Sequence, residues 1–321
     1  MGQPRNGWSH ETAGLVYGYL GVACFSLTLP VTRWAVAYLD PIIIGLGRAL
    51  VAAALSGIAL LAARPPRPRG RQWLSLLAVA GGVVVGFPLL TAWAMQRVPS
   101  SHGAVVLGIL PLVTAVIGAL RMGDRPSFRF WLAALFGSAV VVVFVADAGS
   151  GTLRPADMAL AGAILSASLG YTEGARLARH LGGWPVICWA LILAAPFVAV
   201  PVTVDLHRHI PRNVPWSAWA GFAYVSCFSM FLGLFAWYRG LALGGVARVS
   251  QIQLLQPFLT LAASALLLGE HITLGMGIAA VLVIASVAVG RRSPIEKRGA
   301  SGTGVSRQTA TLEGYAECDG D

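Results

Sequence analysis

The chain has 321 residues, of which 56% are hydrophobic and only 11% are charged. A water-coated globular protein carries about 25% charged residues, so this composition excludes a soluble enzyme or binding domain. The formal net charge is +10, and whether it serves nucleic acid or membrane topology depends on where the charges fall.

Uncharged apolar runs of about 20 residues read as transmembrane helices. The chain offers ten: Thr12–Thr32, Pro41–Ala63, Trp73–Met95, His102–Leu120, Phe130–Ala146, Met158–Arg176, Pro185–Val204, Trp216–Tyr238, Val246–Leu268 and Ile272–Gly290. The expected fold class is all-α, a polytopic membrane protein. The first run is long and lacks a small-residue cleavage site, so it is expected to be a span and not a signal peptide. With the N-terminus in the cytoplasm, 17 of the 23 Lys and Arg residues fall in cytoplasmic segments, 5 on the opposite side and Arg48 within a span. The positive-inside rule then predicts cytoplasmic termini, and the basic excess becomes a topology signal. No nucleic-acid partner is expected. Cys24, Cys188 and Cys227 fall in spans and Cys318 in the tail, a pattern that suggests neither disulfides nor a metal cluster.

Short loops leave no room for a soluble catalytic domain. "DAGSGTLRPAD" (Asp147–Asp157) has the Gly, Ser and Pro content of a connector and lies after the fifth run. Shifting the chain by 146 positions places Pro111 on Pro257, Thr114 on Thr260, Gly123 on Gly269 and Asp124 on Glu270. Coincident Pro, Gly and acid in one register indicate an internal repeat. Five spans per half is an odd number, so the second copy enters the membrane from the opposite side, as in carriers built from inverted repeats. The expected division is residues 12–146, residues 158–290 and a disordered cytoplasmic tail, 291–321.

These residues resemble the EamA family of the drug/metabolite transporter superfamily. The resemblance is carried by "DPIIIGLGRAL" on the second span, the proline-bearing fourth span with "GDRPS" after it, "FLGLFAWYRGLALGGVARVSQIQLLQPF", and "LGEHITLGMGIAAVLVIASVAVG". It extends from Thr12 to Gly290 and implies two five-helix repeats that move small metabolites. This chain has Asp124 where the family usually shows Glu, and no arginine answers Arg48 in the second half, around Ile192.

Several residues invite a chemical role. Asp124 and Glu270 each follow a glycine at a helix end, where an acid can cap the next helix or gate a pathway. Pro111 and Pro257 interrupt helical hydrogen bonding, either to shape packing or to open a helix at a binding site. Arg48 lies about 10 Å inside the second span and is expected to snorkel as an anchor. Gln253 and Gln256, three apart on one helical face, should point into the bundle, to bond helices or to line a cavity with Trp93, Tyr171 and Trp237 as walls. The cavity is expected among the first, third, sixth, eighth and ninth spans, a placement taken partly from the resemblance, with Ser26, Trp93, Tyr171, Trp237, Gln253 and Gln256 as its lining. Glu173 is the acid placed within the hydrocarbon, about 24 Å along the helix from Asp157. It either pairs with Arg176 three positions on or faces the cavity to carry a proton or hold a cationic group.

Ser100, Ser101 and His102 lack the elbow and partnering acid of a hydrolase and read as a helix cap. "HRH" (His207–His209) lacks a third metal ligand and reads as solvated. No Walker A loop is present, so ATP hydrolysis is excluded. The expected function is secondary transport, most simply export, of a small metabolite or amino-acid-like solute by alternating access. A membrane-embedded enzyme or a non-transporting channel or sensor is the alternative. No enzyme activity, cofactor or metal is expected. The expected partners are a small-molecule substrate and the bilayer, with proton coupling and a homodimer left open, in a bacterial inner membrane.

Overall fold

The computed structural model describes residues 10–122, 125–148, 154–209, 211–244, 250–292 and 295–296. Asp124, the connector glycines and all but four residues of the expected tail lie outside them. Among the described residues the regular structure is helical apart from a two-residue antiparallel ladder, Arg125–Pro126 against Ile295–Glu296.

The helices are α1 (His10–Ser26), α2 (Thr28–Ala35), α3 (Arg48–Ala63), α4 (Gln72–Val79), α5 (Phe87–Met95), α6 (Ser100–Leu107) and α7 (Leu110–Met122). They continue as α8 (Phe128–Ala148), α9 (Pro155–Leu181), α10 (Gly183–Arg208), α11 (Trp216–Ala223), α12 (Leu234–Gly244), α13 (Gln256–Leu268) and α14 (Leu274–Arg292). Wider π-helical turns open α3 (Ile43–Gly47), join α4 to α5 (Ala80–Gly86) and join α11 to α12 (Tyr224–Gly233). A 3₁₀ segment, Ser250–Leu255, leads into α13.

Six stretches among the described residues are long and apolar enough to cross a membrane: Thr12–Ala35, Ile43–Ala63, Gln72–Met95, Ser100–Gly118, Gly183–Arg208 and Trp216–Gly240. Phe128–Phe144, Ile252–Leu268 and Leu274–Val289 are apolar but shorter. Helix α9 has length, at 27 residues, but carries charge at its ends. Ile44, Leu76, Met95, Leu160 and Ile187 are fully enclosed, while Leu61, Leu74, Leu135, Phe197 and Leu266 stand outside. An apolar exterior of that extent is a surface made for lipid; the chain is an integral membrane protein.

Packing partners recur at the 146-residue offset. Helix α1 packs on α12, and α9 packs on α4 and α5. The pairs α3 with α10 and α8 with α14 each join elements that correspond under that shift, and α6 with α13 joins parts of the fourth and ninth apolar runs. Local geometry repeats too. The fourth apolar run breaks at Gly108–Ile109, and α7 restarts at Leu110; α13 starts at Gln256, 146 positions later. Pro111 and Pro257 are each the second residue of a restarted helix, where a missing N–H costs nothing. The prolines mark the break because a helix can begin there without losing a hydrogen bond, whereas α10 carries Pro196 and Pro201 within it.

Close approach is achieved with glycine. A Cβ on Gly82 would overlap the carbonyl oxygen of Ser166, and one on Gly240 would lie 2.7 Å from the nitrogen of Gly18. Backbone contact of this kind is how helices associate where no hydrophobic drive separates protein from lipid.

Candidate functional site

Where the broken and widened helices converge, a cavity of about 50 Å³ lies inside the bundle. Its walls include Phe25, Thr28, Arg48, Val83, Pro88, Leu107, Leu110, Tyr171, Ser229, Leu234, Gln253 and Gln256. At one probe sphere of roughly 10–15 Å³ per water, the space suits a few waters and is closed to a metabolite.

The lining is organised by the same offset. Phe25 corresponds to Tyr171, Val83 to Ser229, Pro88 to Leu234, Leu107 to Gln253 and Leu110 to Gln256, each pair 146 positions apart. The chemistry of the pairs is unequal. Four of the second-half members carry a polar group where the first-half member is a hydrocarbon. Polarity on the first-half side comes from Thr28, whose hydroxyl lies 2.7 Å from that of Ser229, and from Arg48.

Arg48 departs from its expected snorkelling. It is 3% exposed, faces the cavity, and its Nε has no hydrogen-bond partner. No carboxylate among the described residues is paired with it. The Gln256 Oε1 is also buried without a partner. A guanidinium away from water requires compensating acceptors, and among the described residues none reaches the Nε.

The remaining expected lining residues sit elsewhere. Tyr171, Gln253 and Gln256 reach the cavity, whereas Ser26 gives its hydroxyl proton to the Val22 carbonyl at 2.7 Å within its own helix. Trp237 stands behind the wall, edge-on to Phe25 with centroids 6.3 Å apart. Trp93 lies beneath the Arg97 guanidinium, 3.6 Å from its ring centroid.

Glu173 is buried but not against the cavity. Its Oε1 lies 2.9 Å from Arg121 Nη2 and its Oε2 accepts from Ser75 Oγ at 2.9 Å. Arg176, the neighbour three positions on, is exposed; the partner comes from α7 because that helix, not the next turn of α9, faces the carboxylate. At the opposite end Glu270 also departs from expectation. It accepts from the backbone N–H groups of Ser100 and Ser101, at 2.9 and 2.8 Å, and so caps α6 instead of the helix that follows it in sequence. That following helix, α14, receives Thr273 Oγ1 at Met276 N–H. Burial raises the Glu270 carboxyl pKa, but the hydrogen bonds from Ser101 and Ser100 outweigh it and hold it below the ordinary value.

Around this second end a wide vestibule of about 820 Å³ is lined by Arg33, Trp34, Tyr38, Gln96, Arg97 and Glu270, among others. His102, read as part of a cap, has its Nε2 2.6 Å from Asp157 Oδ1, both side chains buried. His209 is likewise not isolated: it lies beside Asp205 and Asp40. Asp205 lies one turn before His209, but the contacts of His102 with Asp157 and of His209 with Asp40 cross between distant segments and were not legible in spacing.

Comparison with known proteins agrees with this architecture. The model of the EamA-like transporter family matches twice, over residues 12–146 and 154–290. An uncharacterized transporter of Bacillus subtilis, YdeK, is 43% identical over 292 residues, covering 91% of this chain and 99% of the relative. A protein of Streptantibioticus cattleyicolor named as a probable terminal-alkyne amino-acid exporter is 26% identical, covering 85% of this chain and 96% of that one. A solved crystal structure with 20% identity superposes with a TM-score of 0.60 over 87% of this chain and 96% of its own, which bears on the fold alone. On the family model and the close relative, the chain belongs to the EamA-like transporter family and is a membrane transporter.

Proposed function

We propose that the protein is a secondary carrier that exports a small amphipathic solute bearing a carboxylate, an amino-acid-like metabolite, by alternating access. The observation that carries this reading is Arg48: a buried guanidinium facing a closed cavity with its Nε unpaired. A carboxylate is the ligand whose geometry matches a guanidinium fork. Gln253, Gln256 and Tyr171 offer further polar contacts, while Val83, Leu107, Leu110 and Phe25 offer an apolar wall for a side chain. The Streptantibioticus relative's name supports both the amino-acid class and the direction.

In this reading ten spans form two inverted five-helix halves, with both termini cytoplasmic in a bacterial inner membrane. The Ser100–Glu270 end faces outward and the Arg121–Glu173 end inward. The 146-residue pairing of cavity walls and helix breaks supports an exchange of roles between halves. Glu173, held by Arg121 and Ser75, acts as a latch on the inner side, which favours a gating part over proton carriage.

The test is uptake into proteoliposomes of leucine and phenylalanine against leucinamide and phenylalaninamide, which keep the amine and side chain but lack the carboxylate. Saturable uptake of the acids with little of the amides is expected. Equal uptake of both, or of neither, removes the carboxylate reading.

A further inference from the structure

We infer that Asp40, Asp205 and His209 form a divalent-metal site at the Ser100–Glu270 end of the molecule. One oxygen of each carboxylate and one ring nitrogen of His209 all lie within 4.8 Å of one another. They come from two elements. Asp40 stands before the helix leading into α3, and its Oδ1 accepts the Ile42 N–H at 2.8 Å. Asp205 and His209 are one turn apart at the end of α10, with His209 Nδ1 2.9 Å from Asp205 Oδ1.

Helix chemistry explains part of this cluster and no more. An aspartate capping a helix start accounts for Asp40 Oδ1, and an i,i+4 pair at a helix C-terminus accounts for His209. Neither accounts for Asp205 Oδ2, which belongs to a side chain only 5% exposed and has no hydrogen-bond partner. Nor does either explain why a second carboxylate approaches it. Among the described residues no arginine or lysine is paired with Asp40 or Asp205, although two adjacent carboxylates repel. A dication satisfies the orphaned oxygen and both charges together, and the negative end of the α10 dipole adds to its attraction.

The donor set fixes the class of ion. One imidazole nitrogen with two carboxylate oxygens suits a borderline ion such as Zn²⁺ or Co²⁺, whereas Mg²⁺ prefers oxygen alone. Zinc takes these donors at about 2.0–2.2 Å, so the side chains must draw inward. The His209 side chain, 68% exposed, is free to do so and leaves a solvent path for entry and for bound water. The ion would clasp α10 to the start of the second span, two elements already packed on each other. This assignment is independent of the transported solute.

The experiment uses tag-free, chelator-stripped protein in detergent, titrated with Zn²⁺ by calorimetry and with Co²⁺ by visible absorption. One saturable equivalent and a Co²⁺ d–d spectrum with nitrogen and oxygen ligands are expected. His209→Gln, an exposed change that preserves the fold, should weaken binding at least tenfold or so, and Asp205→Asn should do the same. His207→Gln should leave it unchanged, because His207 Nδ1 faces the Thr203 carbonyl at 2.7 Å. No stoichiometric binding, unchanged binding in His209→Gln, or loss in His207→Gln would each overturn the assignment.

Discussion

Glu270 and Ser100, 170 positions apart, are joined twice: the Ser100 backbone N–H and its hydroxyl both donate to Glu270 Oε1 at 2.9 Å. The contact closes the start of α6 with an acid from the end of α13, and it ties the two broken helices together beside the vestibule.

Its pH dependence follows from the depressed carboxyl pKa. A group whose folded pKa lies below its unfolded value stabilises above the unfolded pKa, near 4.3 for Glu. That stabilisation is lost as pH falls through the folded value. Glu270→Gln should therefore lower thermal stability in detergent at pH 7 by about 1 kcal/mol, the usual worth of a helix cap, and the gap from wild type should shrink once acid protonates the native residue. A gap that widens with acid would contradict the cap.

The Glu173 latch predicts equivalence of its two partners. Arg121 is largely exposed, 56% by side chain, so the ion pair contributes under about 1 kcal/mol, roughly fivefold in a gating equilibrium. Glu173→Gln and Arg121→Gln should change transport alike, and the double variant should add nothing. If Glu173→Gln alone abolished accumulation driven by a proton gradient, the carboxylate would be a coupling group instead.

Adjacent glycines provide an internal control on packing. Gly82→Ala forces a methyl onto the Ser166 carbonyl oxygen, whereas a Cβ on Gly81 meets nothing within 4 Å. The first should cost about 1–3 kcal/mol, visible as a lower unfolding temperature, and Gly81→Ala should not. Equal effects would mean that α9 does not press on the third apolar run so closely.

Orientation is read by impermeant thiol labelling of intact cells, starting from a variant with the four cysteines replaced. Gln96→Cys should react from outside and Arg67→Cys only after lysis; both positions are exposed. Reaction of Arg67→Cys from outside would invert the topology.

Much of this molecule is written in local pattern. The apolar runs, the broken helices at Pro111 and Pro257, and the inward Gln253 and Gln256 all follow from composition, proline chemistry and helical spacing. Contacts across the bundle do not. Nothing within one turn of Glu173 tells that Arg121 reaches it, and an arginine seven residues into a span reads as a snorkelling anchor until its neighbours are known. Trp93 and Trp237 were sensible walls by residue type, yet an indole packs as readily under Arg97 or behind Phe25 as against a ligand. The pairing of Asp40 with Asp205 and His209 joins segments about 165 positions apart, beyond any periodicity.

The most direct measurement is substrate discrimination by Arg48→Gln. Replacing a buried cation that has no carboxylate partner among the described residues with an amide removes a desolvation cost, so the variant should fold and insert at normal yield. In the proteoliposome assay its preference for leucine over leucinamide should fall about ten- to hundredfold, the worth of a hydrogen bond to a charged group, with Arg48→Lys retaining part of it. An Arg48→Gln protein that still distinguishes acid from amide as wild type does would contradict the assignment of the cavity to a carboxylate.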